Sequence, residues 1–98
     1  MGTLNLAHKN MDIYKISLQF VKLIYKLSST FPINEKFGLT SQINRAAVSI
    51  VSNLAESLAR YSDNEKARFL EIALSSFVEL DAQLDISLTL NFCKKKLK

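Results

Sequence analysis

FPINEKFGLTSQINRAAVSIVSNLAESLAR, residues Phe31–Arg60, opens on a turn signal and then carries two helical stripes along the same segment. With about 100° of rotation per helical residue, Leu39, Ile43, Ala46, Ala47, Ile50, Leu54 and Leu58 share one broad arc, which reads as a core face. Gln42, Arg45, Ser49, Asn53, Glu56 and Arg60 stack into a second, polar stripe at helical neighbour spacing. Phe31-Pro32 stops whatever precedes it, because proline restricts the residue before it and cannot continue a helical ladder.

Working outward, a first helix is expected from about Asn10 or Met11 to Ser29, with Ile13, Ile16, Phe20, Leu23, Ile24 and Leu27 as its core stripe. Tyr14, Leu18, Val21 and Tyr25 form a second apolar stripe about 110° away. One bundle face does not need both, so the second stripe reads as an oligomer interface. Helix two is expected to be firm from Thr40, a good N-cap candidate, to Ala59. Ser62-Asp63-Asn64 makes the next break. Helix three then runs to about Leu90, with Asp63 and Glu65 suited to its positive end. Its expected core face is Phe69, Leu70, Ala73, Phe77, Leu80, Leu84 and Leu88.

The chain has 98 residues, 48% of them hydrophobic, with two glycines and one proline. That composition favours long uninterrupted helices over a turn-rich β fold. A single domain, residues 1–98, is expected, folded as an all-α antiparallel up-down bundle of three long helices. The longest apolar runs fall far short of the roughly 20 residues of a membrane span, so no membrane contact and a cytoplasmic location are expected. One cysteine, Cys93, fits a reducing compartment.

The net charge of +4 is unevenly spread. Residues 1–49 carry a balance of +4, residues 62–92 a balance of −4, and the tail Lys94, Lys95, Lys96 and Lys98 restores +4. The two long segments are electrostatically complementary, so the surplus points only weakly to nucleic acid. Lys15, Lys22 and Lys26 nevertheless share one side of helix one. Repeated around a ring of subunits, and joined by Lys94, Lys95 and Lys96, that side would gather phosphate-binding potential.

Enzymatic constellations are mostly absent from the sequence. His8, the one histidine, reads as a solvated residue in a frayed N-terminus rather than a catalytic base. Cys93 reads as an incidental thiol on a flexible end, despite its lysine neighbours. Glu56, Glu79, Asp81 and Asp85 lack the inward Glu-x-x-His pattern of metal-binding bundles. No cofactor and no metal are expected. The polar stripe reads instead as a satisfied network of Gln42, Arg45, Asn53, Glu56, Arg60 and Glu79. In it, Glu56 pairs with Arg45, Arg60 or Arg68, and Asn53 makes an interhelical or intersubunit bond.

GLTSQINRAAVSIVSNLAES, followed by RFLEIALSSFVELDAQL, resembles the bacterial four-helix bundle proteins encoded in intervening sequences of large-subunit ribosomal RNA genes. The resemblance covers about Met11 to Phe92. It rests on Gly38-Leu39, Gln42, Arg45, Ser52-Asn53, Ala55-Glu56, Phe69-Leu70, Ala73, Glu79 and Gln83-Leu84 in fixed order. It implies ring-forming homo-oligomers, typically of five subunits. A related group, the accessory variability protein of diversity-generating retroelements, works with nucleic acid through a basic surface. Val51 and Ser57 stand where the family often has proline and glycine, and only Cys93–Lys98 stands where its fourth helix is expected, so the bundle reads as C-terminally truncated. The expected function is a non-enzymatic oligomeric scaffold binding RNA or DNA through its basic surface. The alternative is a protein-interaction module that accepts a partner's amphipathic helix in an exposed groove.

Overall fold

A computed structural model gives the fold, and the structure describes residues 6–93. Three α-helices carry the chain: α1 (Asp12–Ser28), α2 (Leu39–Ala59) and α3 (Asp63–Thr89). They form the expected up-down bundle, and no strand occurs among the described residues. A 3-10 turn, Ala7–Asn10, precedes α1, and a second one, Ile33–Glu35, lies in the α1–α2 connection. The single-residue detail at the start of α2 differs from expectation. Thr40 is inside the helix, Gly38 holds the N-cap position, and the Leu39 N–H donates to Glu35 Oε1 at 3.3 Å. α3 starts within the expected break, where Ser62 is the N-cap and its Oγ accepts from the Glu65 N–H at 3.1 Å.

α2 is the middle of the bundle, packing on α1 along one flank and on α3 along the other. α1 and α3 therefore occupy diagonal corners and meet mainly through side chains, with the Phe20 and Phe77 ring centroids 6.3 Å apart. That is the arrangement of three corners of a four-helix bundle. Small residues help α2 serve two neighbours. Ala46 and Ala47 are both buried and let the flanking helices approach.

The packed core sits toward the end where α1 finishes and α2 begins. Ile24, Phe31, Leu39, Ile43, Leu80, Leu84 and Cys93 are buried together there. α3 ends at the same level in a Schellman turn: Asn91 adopts φ 60°, the Phe92 N–H bonds Ser87 O at 2.8 Å, and the Asn91 N–H bonds Leu88 O at 3.1 Å. This turn sends the chain back across the bundle, setting Phe92 against Phe31 at 5.9 Å between centroids. Cys93 is consequently buried, with Ser87 Oγ 3.2 Å from its sulfur, and is not an exposed thiol on a flexible end. His8 likewise is held, edge-on to the Tyr14 ring at 4.8 Å, and not frayed.

The opposite half of the bundle is open. Ile16, Leu70 and Phe77, expected in the core, are 67%, 53% and 50% exposed. On α1 the buried face is centred on Ser17, Ile24 and Ser28, between the two apolar stripes read from the sequence rather than on either. Phe20 and Leu27 from one stripe and Val21 from the other are partly buried against that face. Ile13, Ile16 and Leu23 are left exposed.

Burial fixes the expected stability effects. Ile43→Ala or Leu80→Ala, at fully enclosed positions, should cost about 2–5 kcal/mol in urea unfolding. Phe77→Ala should cost the isolated chain only about 1 kcal/mol, because half of its apolar surface is already in water.

Candidate functional site: an apolar groove and a polar cleft

Two concave surfaces flank the shared helix pair. The first is an apolar groove of about 510 Å³ running between α1 and α3 over the open half of α2. Ile13, Ile16 and Phe20 form one wall, Leu70, Leu74 and Phe77 the other, and Ile50 and Leu54 lie between them. Sequence periodicity assigned all of these residues except Leu74 an inward direction. It missed that the three helices close on them from only two sides.

The stripe Tyr14, Leu18, Val21 and Tyr25 lies across α1 from the groove-facing Ile16. Leu18 and Tyr25 are exposed, as an interface requires. Tyr14 is half-covered by His8, and Val21 packs against the core. The stripe is thus a ridge with two prominent side chains. Lys15, Lys22 and Lys26 are exposed beside it, and among the described residues none of the three is in an ion pair. Lys94, Lys95 and Lys96 lie outside the described residues.

The second concave surface is a polar cleft of about 540 Å³ between α2 and α3. Gln42, Arg45, Ala46 and Ser49 come from α2, and Glu79 and Gln83 from α3. The single connected network expected from the polar stripe does not form. Its upper members Gln42, Arg45 and Glu79 surround the cleft, while its lower members act separately.

Glu56 does pair with Arg60, one turn along the same helix, but both side chains are well exposed and the pair joins no second helix. Asn53 bonds Ser49 within α2, through the backbone carbonyl at 2.9 Å and Oγ at 3.1 Å, and makes no interhelical bond in the monomer. Apart from Ser49, which lies in the polar stripe, the register-setting contacts come from residues that periodicity did not single out. Ser28 Oγ donates to Asn44 Oδ1 at 2.7 Å between α1 and α2. Ser49 and Ser76 hydroxyls meet at 2.8 Å between α2 and α3. Ser57 Oγ donates to Lys66 O at 2.8 Å where α2 hands over to α3. Small hydroxyls have no periodic signature, so only the pairing of helices reveals them. Ser57, standing where glycine is often found, is compact enough for this close exit, and α2 runs unbroken through Val51. The same corner is clasped by the Arg60 guanidinium, 4.8 Å from the Phe69 ring centroid.

Such an architecture defines a small helical-bundle protein. Among the described residues no three His, Cys, Asp or Glu side chains gather as a metal site, and no helix is long and apolar enough to cross a membrane. The chain belongs to the 23S rRNA-intervening sequence protein family, whose pattern it matches over residues 9–97. No curated individual protein matches it significantly.

Contrasting substitutions separate the real fasteners from the surface pair. Ser28→Ala leaves Asn44 without its buried-side donor and should cost about 1–3 kcal/mol by denaturant unfolding. Glu56→Ala should change stability by less than about 1 kcal/mol, as exposed ion pairs do.

Proposed function

We propose that the protein is a non-enzymatic helical scaffold that works by self-association, with the α1–α3 groove of one copy receiving the α1 ridge of the next. The observation that carries this reading is the groove itself: six large apolar side chains on two diagonal helices, open to solvent over the length of two helical turns. Apolar surface of that extent on a small domain marks a contact site. Helix-in-groove docking uses anchors at i and i+7, the spacing of the two prominent ridge side chains Leu18 and Tyr25. A second copy fits the groove electrostatically as well. α1 carries a net charge of +2 and α3 a net charge of −4, so seating one on the other brings opposite charges together.

Because groove and ridge are different surfaces, the contact is heterologous, and heterologous contacts close into rings when the rotation permits. A ring of five is the assembly that membership of this family suggests. Nucleic-acid binding is the companion reading, supported by the exposed, unpaired lysines Lys15, Lys22 and Lys26. Three lysines on one chain contact few phosphates, so binding of RNA or DNA would depend on their repetition around the assembly. A foreign amphipathic helix in the groove is the outcome that replaces self-association if the chain is monomeric.

Sedimentation of the native chain should give a mass above the monomer, and Leu18→Glu and Phe77→Glu should each shift it downward while leaving helicity unchanged. A native chain that sediments as a monomer, or an oligomer indifferent to both substitutions, would reject the groove-and-ridge contact. For nucleic acid, the Lys15, Lys22 and Lys26 triple change to Glu should abolish duplex binding at low salt. The native affinity should fall with salt by about 0.9 log unit per neutralised phosphate.

A further inference from the structure

We propose that the polar cleft between α2 and α3 is a binding site for a guanine base. The site lies apart from the groove and the ridge, and the proposal stands whether or not the chain self-associates.

The cleft has the marks of a built recess. Gln83 lines it while only 6% exposed, and its Oε1 is buried without a hydrogen-bond partner. Burying an acceptor unpaired is costly, and turning the Gln83 amide toward the cleft relieves that cost once a ligand donor stands there. Three more polar side chains frame the opening. Among the described residues Gln42, Arg45 and Glu79 make no side-chain hydrogen bond or ion pair. Ser49 is different: its hydroxyl is already engaged by Ser76 and Asn53. Buried Ala46 has no bulk beyond Cβ and keeps the floor clear. The volume, about 540 Å³, is in the range of small-molecule sites.

The two walls differ in hydrogen-bond sense. Glu79 and Gln83, one turn apart on α3, present a carboxylate and an amide oxygen, which are acceptors. Arg45 on α2 presents a guanidinium fork, which only donates, and Gln42, three residues before it, adds an amide that does either. A matching ligand therefore carries adjacent donors on one edge and adjacent acceptors on the next. Guanine does so: its N1–H and N2 amine face the α3 acceptors while O6 and N7 face Arg45, the pairing that arginine makes most often with this base. Adenine offers one exocyclic amine flanked by acceptors, and cytosine one amine beside two acceptors. Either leaves Gln83 or Glu79 unmatched.

Free guanine nucleotide and guanine in single-stranded RNA present the same edges, and titration calorimetry on the full chain separates the sources. GMP should bind. IMP, which lacks the N2 amine, should bind at least about tenfold more weakly, since a buried acceptor is again left unpaired, and AMP and CMP more weakly still. Binding of a G-containing single-stranded RNA with no heat from GMP assigns the site to RNA; binding of both assigns it to the base alone. Glu79→Gln changes an exposed side chain and should leave the helical circular dichroism intact while weakening GMP or G-containing RNA binding by about tenfold or more. Gln83→Leu should abolish binding and, where it folds, raise stability by removing the orphaned oxygen. Equal affinity for all four nucleotides with no preference for G in RNA, absence of binding by both GMP and G-containing RNA, or a folded Glu79→Gln chain that binds as the native one does would overturn the proposal.

Discussion

Everything in this molecule depends on one helix burying two flanks. α2 touches both other helices along its length, whereas α1 and α3 approach one another only through side chains such as Phe20 and Phe77. A helix can serve two neighbours only if its contact arc is wide and its central side chains are small, and Ala46-Ala47 meets that condition at the level of the packed core. Hydroxyls and one amide then fix the register on each flank, Asn44 to Ser28 on the α1 side and Ser49 and Ser57 to α3. Short polar fasteners of this kind are satisfied only in one alignment, so they specify the arrangement more than they strengthen it.

The same geometry creates both candidate surfaces. Diagonal placement of α1 and α3 leaves their facing apolar residues without a fourth neighbour, which makes the groove. The core closes fully only at the end where the Schellman turn at Asn91 folds Phe92 and Cys93 back onto Phe31. On the other flank, α2 and α3 pack through small residues at Ala46 and Ser49. Longer side chains on either side of that seam stand apart around the polar cleft. One surface is apolar, the other polar.

Helix count, order and boundaries were legible in the sequence because Phe31-Pro32 and Ser62-Asp63 are strong local signals and the helices between them are strongly periodic. Ile24, Ile43, Leu80 and Leu84 were rightly placed in the core. Ile16, Leu70 and Phe77 were not, and the reason is physical: periodicity reports the direction a side chain faces, not whether anything lies opposite it. On α1 two apolar stripes 110° apart straddle the true contact line, so neither alone marked the buried face. The polar stripe misled in the opposite way. Gln42, Arg45, Asn53, Glu56 and Arg60 share one helix face, but their partners are set by α3, which supplies Ser76 near the middle and only Glu79 and Gln83 above it. Charge at i and i+4 made the Glu56–Arg60 pair readable; the Ser28–Asn44 and Ser49–Ser76 bonds carry no such spacing.

Intermolecular paramagnetic relaxation tests the central account most directly, namely that the groove left by diagonal packing is filled by α1 of another copy. A spin label is attached at Glu71→Cys, beside the groove-lining Leu70, on unlabelled protein with Cys93 replaced by Ser. This is mixed with a 15N-labelled chain that carries no spin label. Selective broadening of the partner's amides along Tyr14–Tyr25, sparing the α2–α3 turn around Tyr61, is the predicted result. Uniform or absent broadening, or broadening centred on α3 of the partner, would contradict it.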